Sequence, residues 1–352
     1  MNGRERFVVT ALGGALAVVL LSRLLAHTDA AAMLHAVASA GALVVVAPLP
    51  FALSLAVDSY ATNLLLRALG NRTTLAQVLP VRLASEALHL SVPAGFVASD
   101  TVTAVLLDSR ADVPMRDGVV AAIARRWLMM RAHAGYIAFG ALFGFSALAA
   151  LSARLLGGPG LVWALVASAV VPLGASFTIG AGVLGRSTFT RLQALCRRVP
   201  SDRARRWVES RRCEASATDA QVARLRAAPR ATTAATLGYF ACWCVEALDS
   251  ALVLHLVGGD VSLRAVFAVE AGLTLVRSLA VIAPSGLGVV DVGYATVLPA
   301  LGVDANAAAA FVVLKRGKEL AWVAAGYAVL GWIRARAAGR ARAAAPALAG
   351  ST

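Results

Sequence analysis

The distribution of apolar residues along the chain constrains its fold more than any other feature of the sequence. Most of the apolar stretches reach the roughly 20 residues that a helix needs to span a bilayer. Hydrophobic residues make up 59% of the 352 residues, and charged residues only 15%. We therefore predict an all-α polytopic membrane protein. The apolar stretches are residues 7–26, 38–66, 75–107, 119–151, 161–184, 231–257, 261–301 and 305–333.

Two of these stretches are interrupted by a similar motif. The letters PAGFVASD occupy residues 93–100, and PSGLGVVD occupies residues 284–291. Proline removes a backbone donor and glycine frees φ, so each stretch is expected to form two half-length helices with a break between them. Within a membrane, such breaks are tolerated only where they are buried in protein or line a wet cavity. We predict about six full transmembrane helices and two re-entrant or broken helical hairpins.

The two interrupted stretches belong to an internal repeat. Rare intramembrane residues recur at a constant offset of 191 residues, which defines repeat units of about 38–151 and 231–335. With the hairpins entering from opposite faces, the units form an inverted-topology repeat, which places a binding site near the bilayer midplane. The matched residues are Asp58 with Asp249, Pro93 with Pro284, Gly95 with Gly286, Asp100 with Asp291, and Arg125 with Arg316.

Arginine placement predicts the orientation of the chain. The net charge of +14 is concentrated in a basic loop at 185–230 and in the C-terminal tail. The positive-inside rule accounts for this placement without a nucleic-acid partner, and it puts the loop and both termini in the cytoplasm. We predict a single membrane domain over 1–335 and a disordered basic tail over 336–352.

The hairpin breaks and the nearby cations are the candidate substrate-binding site. Half-helix N-termini attract anions such as phosphate, and glycines let a ligand approach the backbone closely, although the same glycines are also suited to tight turns. Forked guanidinium groups bind phosphate through paired hydrogen bonds. We expect a head-group phosphate between the two hairpins, with the paired residues of the two units converging there. The candidate residues are Pro93, Gly95, Asp100, Arg125, Arg126, Pro284, Gly286, Gly288, Asp291, Lys315 and Arg316.

A second group of charged residues is suited to coupling or to internal ion pairs. An unpaired guanidinium deep in an apolar helix costs at least about 2.5 kcal/mol, so each arginine needs a partner. Arg125 is expected to pair with Asp100 or Glu86, and Arg316 with Asp291 or Glu319. Asp100 and Asp291 are suited to act as counter-ions, proton carriers or helix caps. The remaining candidates are Asp58, Glu86, Glu246, Asp249, Arg277 and Glu319.

Two further predictions concern pairs of residues within this group of charged residues. Glu86 matches Arg277 at the repeat offset, so an acid in one unit and a base in the other are expected to pair. Glu246 and Asp249 are three residues apart and share one helical face. They form either an acid/base site or, as we expect, internal ion pairs with the arginines.

The sequence offers no support for soluble catalytic or metal chemistry. Its histidines lack the spacing of metal ligands, and it has no nucleophile elbow, Walker loop or dinucleotide fingerprint. We predict no cofactor, no metal and no catalytic residue.

The charged motifs resemble those of the flippase-like membrane family that shares the transmembrane domain of lysylphosphatidylglycerol synthases. The family's second motif reads Pro-Gly-Gly-Leu-Gly-x-x-Glu, followed by Leu-Gly-Val and then Arg. This chain has a similar pattern in the motif at 284–291, in Leu-Gly-Val at 301–303 and in Lys315-Arg316. The family's first motif is similar to the part of this chain that contains Glu86, the motif at 93–100 and residues 124–126. The resemblance covers about residues 6–332. Asp291 replaces the usual glutamate, and Arg125-Arg126 replaces a Glu-Arg pair.

The resemblance implies a bacterial inner-membrane protein that moves a phospholipid or a polyprenyl-phosphate-type lipid between leaflets. It also leaves open a membrane-embedded enzyme or enzyme subunit of envelope or hopanoid lipid metabolism, and the residues leave open an ion-coupled transporter of a small anion. The aminoacyltransferase domain of the full-length synthases is not expected, because the sequence ends soon after the last apolar stretch. The expected partners are membrane lipids and lipid-biosynthesis enzymes.

Overall fold

The structure is a computed structural model that describes residues 41–92, 95–182, 190–191, 212–279 and 286–349, together with residues 31, 35 and 38. The predicted first helix at 7–26, the prolines Pro93 and Pro284, and most of the basic loop lie outside the described residues. Within the described ranges the chain is helical and has no strand, which confirms the predicted all-α membrane fold.

A short 3-10 helix, Gly41–Val46, precedes a series of α-helices. In chain order the helices are α1 (Leu49–Ala68), α2 (Leu75–Ser91), α3 (Gly95–Ala111), α4 (Met115–Phe143), α5 (Phe145–Leu156), α6 (Gly160–Gly182), α7 (Arg212–Arg226), α8 (Pro229–Leu256), α9 (Leu263–Leu279), α10 (Val289–Ala300) and α11 (Ala305–Ala349).

Three helices among the described residues are long and apolar enough to span a membrane, at Gly41–Ala68, Gly160–Gly180 and Pro229–Leu256. The pair α4 and α5 makes a fourth if it is counted as one span. The sequence predicts a single apolar stretch over 119–151, but the structure bends it by 79° between α4 and α5. Gly144 allows this bend because a Cβ there would lie 2.5 Å from the carbonyl oxygen of Arg264.

The C-terminal end also differs from the sequence prediction. Helix α11 continues to Ala349, through most of the stretch at 336–352 for which the sequence predicts disorder. Alanine and arginine, which dominate this stretch, have high helix propensities, so the helix can extend beyond the apolar residues.

Both interrupted stretches form helical hairpins. In the first, the Thr103 hydroxyl of α3 donates to Ser85 Oγ of α2 at 2.9 Å. In the second, the Tyr294 hydroxyl of α10 donates to Glu270 Oε1 of α9 at 2.6 Å. In each case a residue before the break contacts a residue after it, as the two arms of a hairpin require.

The helix order reproduces the repeat. The offset of 191 residues places α1 on α8, the hairpin α2–α3 on α9–α10, and α4 on α11. Each hairpin's first helix packs against the last helix of the other unit, α2 against α11 and α9 against α4. The two units therefore interlock.

The equivalent helices α1 and α8 run antiparallel, as an inverted repeat requires. The Cys242 thiol donates to the carbonyl oxygen of Ser54 at 3.3 Å, and the hydroxyls of Thr62 and Tyr239 are 3.5 Å apart. Farther along, Arg224 of α7, just before α8, donates to the carbonyl oxygen of Leu69 at 3.2 Å. The residue numbers of these contacts rise along α1 while those of their partners fall, which is the order of contacts between antiparallel helices. No membrane is present to show which face each hairpin enters, so the cytoplasmic placement of the termini stays a prediction.

Close packing between the units supplies a test of the fold. At Gly326 of α11, an added Cβ would lie 2.6 Å from both Ala87 Cβ and the Leu83 carbonyl oxygen of α2. We predict that Gly326→Ala destabilises the protein by about 1–3 kcal/mol, the cost of overpacking a filled interface. The measurement is the midpoint of thermal aggregation in detergent, followed by size-exclusion chromatography.

Gly331, on the same helix, is the matched control. A Cβ at Gly331 would meet no atom within 4 Å, so Gly331→Ala should keep or raise the midpoint through the better helix propensity of alanine. Equal midpoints for the two variants would contradict the packing described here.

Candidate functional site

A cavity of about 200 Å³ lies between the two repeat units. Helices α1, α2 and α4 of the first unit and α8, α9 and α11 of the second all contribute to its wall. The lining residues are Pro50, Phe51, Ser54, Leu55, Asp58, Glu86, His89, Leu90, Arg125, Met129, Cys242, Trp243, Val245, Glu246, Asp249, Arg277, Lys315, Lys318 and Glu319. We call this space the central cavity.

The wall of the central cavity is dense in charge and nearly balanced. Five carboxylates face four cations along it. The carboxylates belong to Asp58, Glu86, Glu246, Asp249 and Glu319, and the cations to Arg125, Arg277, Lys315 and Lys318. Ionised groups inside a membrane protein persist only when they are paired or face a polar cavity. Both conditions hold here.

In the first unit, Asp58 is the centre of the pairing. One carboxylate oxygen accepts from Arg82 Nε of α2 at 2.8 Å, and the other accepts from Arg125 Nε of α4 at 2.9 Å. Asp58 therefore joins three helices. Arg125 was expected to pair with Asp100 or Glu86, but its main partner is Asp58, and Asp100 lies 3.8 Å away. Asp58 takes this place because α1 packs against both α2 and α4.

Arg82 is a site residue that sequence reasoning missed. Its side chain is fully buried, and it also donates to Thr103 at 3.2 Å and to Glu86 at 3.3 Å. Its position four residues before Glu86 on a predicted helix is a signal that would have found it. The residue was overlooked because no charged residue matches it in the other unit, where Leu273 occupies the equivalent position.

In the second unit three helices are joined by separate pairs rather than by one central residue. Arg277 of α9 donates to Glu246 of α8 at 2.6 Å, and Lys318 of α11 pairs with Asp249 of α8. Glu246 and Asp249 thus take part in internal ion pairs, as expected, although the partner of Asp249 is a lysine. Lys315 of α11 pairs with Glu270, another residue that the sequence analysis did not select, at 3.1 Å.

The expected pair between Glu86 and Arg277 does not form. Each of these residues is held by a partner in its own unit, Glu86 by Arg82 and Arg277 by Glu246. Both nevertheless line the central cavity, so the repeat offset correctly brought them to one site. The physical reason for the difference is that a nearer partner satisfies each charge first: Arg82 on the same helix for Glu86, and Glu246 on the adjacent helix α8 for Arg277.

The two aspartates that follow the breaks have ion-pair partners away from the central cavity. Asp100 accepts from Arg126 at 2.9 Å, and Asp291 accepts from Arg316 at 2.9 Å. Arg316 also pairs with Glu319. Of these five residues only Glu319 lines the central cavity, so Asp100 and Asp291 do not meet there, and neither do Arg125 and Arg316.

The glycines at the breaks serve the hairpins themselves. A Cβ at Gly95 would lie 2.3 Å from the His89 carbonyl oxygen, and one at Gly286, where φ is +67°, would lie 2.7 Å from Val290. The N–H of Gly288 already donates to Asp291 at 2.8 Å, so the start of α10 is capped by the chain's own carboxylate. These close contacts are those of tight turns. The phosphate site expected at the breaks stays a prediction.

Several polar atoms in the wall of the central cavity are buried without a hydrogen-bond partner in the described part of the chain. These atoms are His89 Nδ1, Trp243 Nε1, Asp249 Oδ1 and Arg277 Nε. Leaving a buried donor or acceptor unsatisfied costs about 1–3 kcal/mol. Two of the four are donors and one is an acceptor, so the wall is suited to a polar group that both accepts and donates hydrogen bonds.

The remaining wall is apolar. Phe51, Leu55 and Leu90 line the space, and Phe51 lies 5.0 Å from Trp322 of α11 between ring centroids. A polar group in the central cavity is thus bordered by apolar side chains. Among the described residues, no group of three or more metal-ligating side chains is placed to hold a metal ion.

The pairing of Asp58 generates a prediction about stability. Asp58→Asn leaves two buried guanidinium groups facing a neutral side chain, and breaking a buried pair typically costs about 3–5 kcal/mol. We expect Asp58→Asn to lower the midpoint of thermal aggregation strongly. Asp108→Asn, at an exposed position of α3, is the control and should leave the midpoint unchanged. Similar midpoints for both variants would show that Asp58 does not hold the first unit together.

No curated protein and no solved structure matches the chain. A family profile described as the lysylphosphatidylglycerol synthase TM region matches residues 10–326. This match spans both repeat units and most of the chain, and it confirms the resemblance that the charged motifs indicate. The chain belongs to the family defined by the transmembrane region of lysylphosphatidylglycerol synthases.

Proposed function

We propose that this protein moves a phospholipid or a polyprenyl-phosphate-type lipid between the leaflets of the membrane. In this proposal the polar head group occupies the central cavity while the acyl or prenyl chains stay in the bilayer. The observation that carries the proposal is the set of unpartnered polar atoms in a cavity shared by two inverted units. The family match supports a lipid-related membrane role.

The wall of the central cavity indicates how a head group would be held. The free Nε–H of Arg277 and the free indole N–H of Trp243 are donors for phosphate oxygens, and Arg125, Lys315 and Lys318 add positive charge nearby. Asp249 Oδ1 is an acceptor for a hydroxyl or amino group of the same head group. This seat lies apart from the one expected at the hairpin breaks.

The inverted repeat supplies a route for the movement. In inverted-repeat transporters, the two halves exchange conformations around a fixed site and open it alternately to each side of the membrane. Here α1 and α8 pack along each other, and the first helix of each hairpin packs against the last helix of the other unit. A relative rocking of the two units would open the central cavity to one leaflet and then to the other.

The proposal extends to location and partners. We place the multi-pass protein in the bacterial inner membrane on the strength of its family, and both termini in the cytoplasm on the strength of its arginine distribution. Its partners are membrane lipids and, as a second class, lipid-biosynthesis enzymes. We assign it no catalytic residue and no cofactor.

A proteoliposome assay tests the proposed function. Fluorescent phosphatidylglycerol, phosphatidylethanolamine and a polyprenyl phosphate are followed between leaflets by quenching of the outer leaflet. We expect the wild type to move at least one of these lipids. Trp243→Phe removes one hydrogen-bond donor and keeps an aromatic ring against His133, so it should slow that movement about fivefold. Arg277→Met removes a charged donor and should slow it about tenfold or more.

Matched controls separate the site from general damage. Trp163→Phe changes a tryptophan that is 67% exposed on α6, and Arg264→Met changes an exposed arginine of α9. Both should move lipid at the wild-type rate. Mass spectrometry of the same vesicles distinguishes the enzyme alternative. A wild type that moves none of the lipids but converts one of them chemically would contradict the proposed function.

A further inference from the structure

A buried polar cluster in the second unit has a carboxylate at its centre. Glu270 Oε1 accepts from Ser250 Oγ at 2.5 Å, from the Tyr294 hydroxyl at 2.6 Å and from Lys315 Nζ at 3.1 Å. Lys315 Nζ also donates to Ser250 and to Tyr294, each at 2.7 Å. Three side chains from three other helices therefore converge on a single oxygen atom of Glu270.

The other oxygen of the same carboxylate is unoccupied by the protein. Glu270 Oε2 is buried and has no hydrogen-bond partner within the described residues, and the side chain is only 2% exposed. A carboxylate normally accepts several hydrogen bonds on its two oxygens. Three donors on one oxygen and none on the other leave Oε2 as the single unused acceptor of this cluster.

A small second cavity lies beside Glu270. It measures about 10 Å³, which is about the space of one water molecule. Glu270, Ser250 and Tyr294 line it together with apolar residues, of which Val261 lies in the loop before α9 and Leu301 at the end of α10. This small cavity therefore extends from the buried cluster toward two loops.

Lys315 connects the two cavities. Its ammonium group is part of the Glu270 cluster, and its side chain also lines the central cavity. The ion pair between Lys315 and Glu270 thus lies between the small cavity and the proposed head-group seat. A change of charge on Glu270 would act directly on a cation of that seat.

The first unit has no equivalent of this cluster. At the offset of 191 residues, Glu270 matches Leu79, Lys315 matches Ala124 and Tyr294 matches Thr103, and only Ser250 is retained, as Ser59. The ion pair is therefore not needed to build the repeated fold. Its presence in one unit alone indicates a role in which the two units differ.

We propose that Glu270 is a proton-binding site that couples proton movement to lipid movement. This inference rests on the proposed function. A proton that enters through the small cavity binds Oε2 and converts the carboxylate to a neutral acid. No other bond forms or breaks. Lys315 then loses its counter-charge and becomes available to a phosphate in the central cavity, and release of the proton restores the ion pair.

The surroundings of Glu270 are compatible with this exchange. The groups that face it are Tyr136 from α4, Ser250 from α8, Tyr294 from α10, Lys315 from α11 and, on its own helix, Arg277. In this proposal a phosphate beside Lys315 and Arg277 competes with Glu270 for the same two cations, so lipid binding and proton binding reinforce each other.

Infrared difference spectroscopy tests the proton site without any lipid movement. The reconstituted protein is titrated with acid, and the carbonyl-stretch band of protonated carboxylic acids is recorded. We expect a band in the wild type that Glu270→Gln removes and that the exposed-site control Asp108→Asn retains. Tyr294→Phe, which removes one hydrogen bond to the group, should shift the frequency of the band. A wild-type titration with no band that depends on Glu270 or Tyr294 would overturn the proposal.

A pH gradient across the vesicle membrane tests the coupling. With one proton carried per lipid, a gradient of one pH unit should shift the equilibrium ratio of labelled lipid between leaflets by about tenfold. Glu270→Gln should still move lipid but leave the leaflets equal, whereas Asp108→Asn should behave as the wild type does.

The two proposals fail in different ways. Wild-type vesicles that move lipid and keep the leaflets equal under the gradient would overturn the coupling and leave lipid translocation standing. Wild-type vesicles that move none of the lipids would remove the proposed function and the coupling with it, and the proton site would then be decided by the infrared band alone.

Discussion

The pairing of buried charges is the constraint on which the rest of this structure depends. A membrane interior does not solvate an ionised side chain, so each one must find a partner or a polar cavity. Asp58 satisfies this constraint for Arg82 and Arg125 at once, and in doing so it fixes α1, α2 and α4 relative to one another. The pairs of the second unit fix α8, α9 and α11 in the same way. The central cavity is the space that these two sets of pairs enclose.

The two units are alike in fold and different in chemistry. Both have a helix, a hairpin and a long helix in the same order, and both place an aspartate at equivalent positions of α1 and α8. Only the second unit has the buried cluster of Glu270 and Lys315. A symmetric scaffold allows the two halves to exchange conformations, and an asymmetric cluster provides a means to give that exchange a direction. The proposed function uses the first property, and the proposed proton site uses the second.

Much of the architecture could be predicted from the sequence, because it follows from patterns that recur. Apolar length gave the membrane fold, and the matched motifs gave the repeat and both hairpins. The same reliance on recurrence concealed Arg82 and Glu270, which have Leu273 and Leu79 at the equivalent positions. The choice of ion-pair partner was also out of reach, since it depends on which helix packs nearest. Arg125 bonds to Asp58, 67 residues away in sequence, rather than mainly to Asp100.

In the proposed function, a lipid head group binds in the central cavity between the two units rather than at the hairpin breaks. An electron cryo-microscopy structure of the protein in nanodiscs made of native lipids tests this placement most directly. We expect head-group density in the central cavity, with oxygen atoms within about 3.2 Å of Trp243 Nε1 and Arg277 Nε. Lipid head groups bound instead at Gly95 and Gly286, with the central cavity closed by protein alone, would contradict this placement.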